Sequence, residues 1–399
     1  MAARYGLGRQ PLRVTRSARA LRLGAVGLIT ALSLLLHQQA ARLPIDFDED
    51  DYMRAGQILA DEIRTGNPAI LLEDNYRIEH PQFVKILIAS VMLGMEPIQR
   101  IPELPVTANP YELMHRPTLA AVRRMEVAFG VLAVTALALV SPVAGILLAT
   151  STWVIKYTSQ VMLESVPLLF SLLGVALYEF ARGISSARRR RLAYIASAIG
   201  IGLAVGAKYP YAIAGLAIVV DRLRRTRRGE TLRLKDALGW SAIAALAFFA
   251  VNPYLWSDPI GRLIASAAYH PDYATSEQVQ STGYPMWQQL IWILQSVPWH
   301  DAQEMFLVKF DFLVKVEFWM KFDFWMLPLA LAGTVPLARK RPVYAIWLGL
   351  GAVALLFWPT KWPQYLLTIA VPYALAGAAG VALLAKLAVA LPRRILKGR

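Results

Sequence analysis

The chain has 399 residues, of which 56% are hydrophobic, and a mean hydropathy of +0.43, which excludes an ordinary soluble domain and indicates a polytopic membrane protein. Lys and Arg number 42 against 27 Asp and Glu, but the excess sits in short clusters between apolar runs, the distribution of cytoplasmic loops and not of a nucleic-acid-binding face. Cysteine is absent, so disulfides, a thiolate nucleophile and thiolate metal sites are excluded.

Residues 1–22 carry six arginines and no acid, and Leu23 to about Gln39 is the first apolar run. A basic start before a short apolar stretch also fits a cleaved signal peptide, with Ala40-Ala41 near the scissile point. Apolar runs recur near 119–140, 142–156, 161–181, 192–207, 209–221, 236–255, 322–338, 342–358 and 363–390. If each crosses once, the clusters at Arg182 and Arg188 to Arg191, at 222–235, at Arg339 to Arg341 and at 393–399 all share the side of the basic N-terminus. The expectation is an all-α transmembrane bundle of about ten helices, several of them tilted or broken, with both ends cytoplasmic. The whole of 1–399 reads as one membrane-embedded domain.

Two long segments fall on the opposite side, at 41–118 and 256–321. The first opens with five acids in six residues, Asp46, Asp48, Glu49, Asp50 and Asp51, and later carries Glu79-His80-Pro81. Between them Tyr52 to Arg64 has the spacing of an interfacial amphipathic helix, and Phe83 to Met95 is apolar but too short to span. In the second, Phe306 to Trp325 interleaves lysines with aromatics, as at a headgroup boundary.

The same topology brings other polar residues to the outer interface. Lys156-Tyr157, Glu164, Lys208-Tyr209, Asn252, Tyr254, Trp256 and Asp258 lie at the ends of apolar runs, as do Lys361, Trp362, Gln364 and Tyr365. A transporter keeps its charges near the bilayer midplane; acids next to loops suit an enzyme acting on a lipid headgroup. His270, His300, Asp301 and Glu304 match no strong metal spacing, so no metal site is assigned.

The motif Asp48-Glu49-x-x-Tyr52, followed by Glu79-His80-Pro81 and Lys85, resembles the first outer loop of the GT-C glycosyltransferases. The nearest branches are the protein O-mannosyltransferases and the lipid A aminoarabinose transferases. Tyr157-Thr158-Ser159 through Glu164, Gly202 to Lys208-Tyr209, Asn252-Pro253-Tyr254-Leu255-Trp256 with Asp258-Pro259, and Tyr365 before Pro372 extend the resemblance over most of the chain. Two departures are Glu164, where the family often has Asp, and a soluble C-terminal domain of many relatives that has no counterpart in this sequence. The resemblance implies a sugar donor on a polyprenyl or dolichyl phosphate, membrane lipids as surroundings, and a protein, glycan or lipid acceptor. It implies Asp48 as general base in an inverting transfer, with Glu49 tuning it and Glu79 and Glu164 as further acids. His80, Lys85, Lys208 and Lys361 become candidates for the phosphate, and Tyr52, Trp256, Trp362 and Tyr365 for the sugar or prenyl chain. No motif requires a cofactor; a divalent cation bridging the acidic pair to the phosphate is the alternative to a base.

Each residue also has a plainer reading. Asp46, Asp50 and Asp51 complement a helix dipole, and Asp48 caps a helix. Glu79 and His80 hold a loop shut, Glu164 pairs with Lys156, Lys208 and Lys361 snorkel, and the tryptophans form an interfacial belt. A transporter or flippase of lipid-linked sugars is the rival function.

Overall fold

A computed structural model describes residues 16–46, 48–101, 114–226, 234–297 and 316–397. Among these residues it is all helical, with no strand. The ten apolar runs each fall on a helix or a helix pair. They are α1 (Arg16–Ala40), α5 (Arg116–Val140), α6 (Pro142–Ala149) with α7 (Thr152–Tyr157), α8 (Ser165–Arg182), α9 (Ala187–Ala207), α10 (Ala212–Thr226), α11 (Leu234–Ala250), α15 (Val316–Lys340), α16 (Pro342–Phe357) and α17 (Leu367–Lys397). The first outer segment adds α2 (Glu49–Arg64), α3 (Ile70–Glu73) and α4 (Phe83–Leu93); the second adds α12 (Pro259–Ala274), α13 (Glu277–Gln280) and α14 (Gln288–Ile293).

Four of these stretches, Ser17–Ala40, Ser165–Arg182, Ala187–Ala207 and Pro363–Ala390, are long and apolar enough to cross a membrane by length and composition. The others fall short for a physical reason. Helix α5 contains the buried Arg123 and Glu126, and α15 the buried Asp323, while α11 and α16 are shorter apolar helices. Two expectations shift. The run at 142–156 is broken into two short helices. Arg188 to Arg191, expected in a loop, form the start of α9.

Two close approaches fix the bundle. Helix α15 lies backbone to backbone on α17, because Gly333 and Gly380 leave no side chain between them. A Cβ on Gly333 would meet the Ala376 carbonyl at 1.8 Å, and one on Gly380 the Leu329 carbonyl at 2.0 Å. Helix α9 packs between α8 and α11, and a Cβ on Gly202 would meet the Ala244 carbonyl at 2.3 Å.

Outside this bundle α2 pairs with α4. Met53, Leu59 and Ala60 are buried with Val84, Ile88 and Met92 in a second, smaller core. The amphipathic stretch does form a helix, starting three residues before Tyr52, and its apolar face is spent on α4. At 158–164 the chain is non-helical yet buried throughout. Irregular backbone at this depth is stable only where its polar groups are satisfied inside protein.

One residue does much of that work. Glu49 is fully buried, and its two oxygens accept from the Arg123 guanidinium, the Val161 amide at 2.7 Å, the Asp46 amide at 2.9 Å and Gln160 at 3.3 Å. Arg123 also donates to the carbonyls of Ala41, Leu43 and Pro44. The pair therefore joins the α1–α2 connection, α2, α5 and the 158–164 segment. Removing one partner of a buried ion pair costs about 3–5 kcal/mol. Glu49→Gln should lower the thermal unfolding midpoint clearly, whereas Asp61→Asn, which touches a more exposed Arg64 pair, should shift it little. Equal midpoints for wild type and Glu49→Gln in detergent would remove Glu49 from this role.

Candidate active site

A cavity of about 980 Å³ opens between the α2 N-terminus, the 76–80 loop, the start of the 3₁₀ turn at Tyr209–Tyr211, α12 and the Pro363–Leu366 turn. Asp48, Tyr52, Glu79, His80, Lys208, Trp362 and Tyr365 all line it, so seven of the twelve sequence candidates are brought together.

Asp48 precedes α2 at the N-cap position, but its side chain makes no capping hydrogen bond. The capping alternative therefore fails, and the carboxylate is left for the cavity. Among the described residues its side chain has one neighbour within hydrogen-bond range, the Gln364 amide at 3.5 Å. Burial pushes the Asp48 carboxyl up to about 6; Lys208 and Arg77 pull it back down, and Asp46 and Asp50 push it further up.

The surrounding acids are occupied. Asp46 pairs with Lys156 at 2.8 Å, Asp50 with Arg54 at 3.5 Å, and Asp51 with Arg54 and Arg77. Lys156 is thus spent on Asp46, and Glu164 pairs instead with Lys208 and accepts from the Tyr211 hydroxyl at 2.7 Å. Glu164 is fully buried behind the cavity and orients Lys208, whose ammonium also lies 5.5 Å from the centre of the Tyr365 ring.

The Glu79-His80 element is held from outside the cavity. His80 Nε2 meets the Tyr52 hydroxyl at 3.1 Å, and its ring packs edge-on against Tyr52 and His270. Burial, reinforced by Lys208, Lys85, His270 and Arg77, holds His80 well below the usual imidazole range. It is a neutral ring with one hydrogen bond to offer. Gln82 fixes the following turn: its amide donates to Asn252 Oδ1 at 2.7 Å, and its side-chain carbonyl accepts from the Tyr254 amide at 3.0 Å. The Asn252-Pro253-Tyr254 element therefore buttresses the first loop.

Besides Glu164, four candidates lie off the cavity. Lys85, expected on the phosphate, donates to Asn75 Oδ1 and to the carbonyls of Tyr76, Arg77 and His80, all within 3.0 Å. Its ammonium is fully used in closing the 75–80 loop, and burial pulls it down to about 7, with Glu79 and Asp74 opposing that shift. Lys361 donates to the carbonyls of Leu355, Leu356 and Trp358 and so closes the end of α16. Trp256 is 56% exposed and donates to the Phe249 carbonyl, as a belt residue does. Glu49, expected beside Asp48, is turned inward onto Arg123.

Other residues of the cavity were not among the donor-site candidates read from sequence, and His270 was weighed there only as part of a metal group. Arg77 lines it with a φ of 64°, a left-handed conformation unusual for a non-glycine residue. Its guanidinium faces Asp51 and lies 3.9 Å from Glu79. The second outer segment contributes Tyr269, His270 and Tyr273 from α12, with Trp292 beyond them. Tyr269 and Tyr273 are stacked at 5.8 Å, one helical turn apart. Residues spaced by four on an amphipathic helix are the one signal that could have found them.

His300, Asp301 and Glu304 lie outside the described residues. Among the described residues no group of three or more acids or histidines is placed to hold a metal. The acids that ring the cavity already face protein cations, which leaves Asp48 as one carboxylate and not a ligand set.

No family model matches the sequence, and no curated protein matches it. Among solved structures, ArnT from Cupriavidus metallidurans in the apo state is similar over 92% of this chain, with a TM-score of 0.55 at 14% identity. The same protein bound to undecaprenyl phosphate gives 0.53 at 13% identity. The chain spans 60% of the length of these structures. Likeness at that identity speaks for architecture, and by its architecture the chain is an integral membrane protein with an ArnT-like fold.

Proposed function

We propose that the chain is a glycosyltransferase that takes a sugar from a polyprenyl or dolichyl phosphate and passes it to an acceptor hydroxyl. One observation carries this reading above the others: Asp48, a carboxylate without a cation of its own, on the wall of a 980 Å³ cavity that also holds Lys208 and Arg77. The ArnT structure with undecaprenyl phosphate supports a polyprenyl phosphate as the donor's carrier.

The geometry supports a division of labour. Asp48 accepts the proton of the acceptor hydroxyl as that oxygen attacks the anomeric carbon. The bond from that carbon to the phosphate oxygen breaks, and Lys208 and Arg77 take up the charge that develops on the leaving phosphate. Glu164 and Tyr211 keep Lys208 in place, and Lys85 keeps Arg77, Glu79 and His80 in place. Tyr365, Trp362 and the α12 tyrosines offer flat faces to the sugar or prenyl chain. A single displacement gives inversion. The donor sugar is read as mannose or another hexose or pentose, the acceptor as a protein, glycan or lipid hydroxyl, and the active end as the non-cytoplasmic one. Transport is the weaker reading: Glu126 and Asp323 do lie inside helices, but neither reaches the cavity.

Asp48→Asn should lower turnover by a factor of about 10² or more, the scale of general-base catalysis. Since burial disfavours the ionised form, removing the charge should leave stability at pH 7 unchanged or improved. A folded Asp48→Asn enzyme with normal turnover, or retention at the anomeric carbon, would sink the base and the single displacement respectively. Protonation removes the base, so kcat/KM of the wild type should fall as pH drops through about 6.

Arg77→Gly keeps the left-handed backbone unstrained while deleting the cation. Donor affinity should drop by roughly ten- to a hundredfold, the worth of about 1.5–3 kcal/mol for a charged hydrogen bond. Unchanged donor affinity would confine Arg77 to pairing with Asp51.

Sidedness can be read on the cysteine-free background. Ser281→Cys, near the cavity end, should react with an impermeant maleimide in intact cells, and Ser185→Cys, beyond α8, should react only after permeabilisation. The reverse pattern would invert the topology.

A further inference from the structure

A second cleft, of about 670 Å³, opens at the end of the bundle away from the cavity. Lys386 on its wall lies roughly 28 Å along α17 from Leu367, close to one hydrocarbon thickness. Helix α1, the α5–α6 junction, the end of α15 and the middle of α17 form its walls. Its floor is apolar, with Val140, Leu337, Leu375 and Leu383. Its rim carries Arg22, Arg339, Lys340, Arg341 and Lys386, and no acid lines it.

These charges are not consumed locally. Among the described residues no salt bridge involves Arg339, Lys340, Arg341 or Lys386, and Arg22 donates to the Leu139 carbonyl. A neighbouring cleft of about 580 Å³ shares Arg339 and Lys340 and adds three arginines. There, however, Asp221 pairs with Arg224 and Arg225, and Glu179 pairs with Arg182. The first cleft therefore keeps the greater unbalanced charge above the greater apolar floor.

A free anion would gain from the rim alone, and an uncharged chain from the floor alone. We infer that this cleft binds an anionic glycerophospholipid, its phosphodiester at the Arg339–Arg341 turn and an acyl chain along α15 and α17. The volume lies within the usual range of ligand sites, roughly 300–1,000 Å³. The exposed Leu384 and Leu387 flank Lys386 on α17. A lipid seated there would tie the α15–α17 pair to α1, far from the catalytic cavity. The inference needs only that the bundle is membrane-embedded, so it stands apart from the proposed chemistry.

The test is native mass spectrometry of the full chain in non-ionic detergent, titrated with phosphatidylglycerol, phosphatidylcholine of the same chains, or inorganic phosphate. Phosphatidylglycerol should be retained over phosphatidylcholine by at least about fivefold, the effect of a single surface cation on an anionic lipid. Arg339→Gln/Lys386→Gln should abolish that preference. Ala382→Trp, which fills the cleft without touching its charges, should reduce retention of both lipids. Equal retention of the two lipids by the wild type would overturn the inference, and that comparison needs no variant to fold. So would a preference that survives both variants, or inorganic phosphate displacing phosphatidylglycerol at equal concentration.

Discussion

The arrangement of the cavity end depends on the buried contact between Glu49 and Arg123. Arg123 sits on a long bundle helix, and Glu49 is in the first turn of α2. Their pairing pulls the start of α2 down onto α5, and the carbonyls of Ala41, Leu43 and Pro44 come with it. Asp48, one residue earlier on the chain, is thereby carried to the other side of the same turn and faces the cavity. Adjacent acids are thus separated into two functions by helical geometry: one carboxylate is fully neutralised, and the other is left with an amide for company. A buried pair of this kind is weak evidence for net stability, but it specifies one register for the α1–α2 connection.

A second layer of neutralisation makes the cavity selective in charge. Asp46, Asp50 and Asp51 would repel a phosphate if they stood alone. Lys156, Arg54 and Arg77 cancel them at short range. What remains is the Asp48 carboxylate on one wall, with Lys208 and Arg77 on others, each lining the cavity while paired to an acid, Glu164 and Asp51 respectively. Lys85 shows the cost of that arrangement. A fully buried ammonium that serves four loop acceptors is held down to about 7, and its use is to set the 75–80 backbone, including the left-handed Arg77. The other left-handed non-glycine residue among the described residues is Leu163, next to Glu164. Both unusual backbones therefore lie beside the charges that face or support the cavity, where strain is retained when the surroundings over-determine it.

Much of this was legible in the sequence, and what was not has a common cause. The hydropathy pattern located every apolar run, and the acidic stretch with Glu79-His80 marked the cavity, because both signals are local. Lys85 and Lys361 were misassigned to a phosphate because a lysine near a helix end looks the same whether it meets a ligand or a ring of carbonyls. Arg123 drew no attention, since an arginine in an apolar run gives no hint of its partner 74 residues away. The break at Thr150-Ser151 was hidden because three small hydroxyl residues also occur inside apolar helices, and Asp323, which accepts from Thr152 across that break at 2.5 Å, lies far along the chain. Arg77 and the α12 tyrosines needed the fold to bring a second outer segment over the first.

The placement of charge along the helices bears most on what kind of protein this is. Alternating access requires a path, and a path requires polar side chains spaced through the bilayer that face it. Here the cavity is bounded by the starts of helices and the loops that precede them, at 46–52, 76–80, 208 and 362–365, and by α12 of the second outer segment. The acids that do sit deeper face other groups than the cavity: Glu126 accepts from Ser165 through one oxygen, and Asp323 accepts from Thr152 and Ser296. Elsewhere in the bundle helices approach one another closely at Gly333, Gly380 and Gly202, where a Cβ would meet the neighbouring backbone. Among the described residues the polar side chains of the cavity gather at one end of the bundle, an arrangement that suits a lipid-borne group presented at the membrane surface better than one carried across.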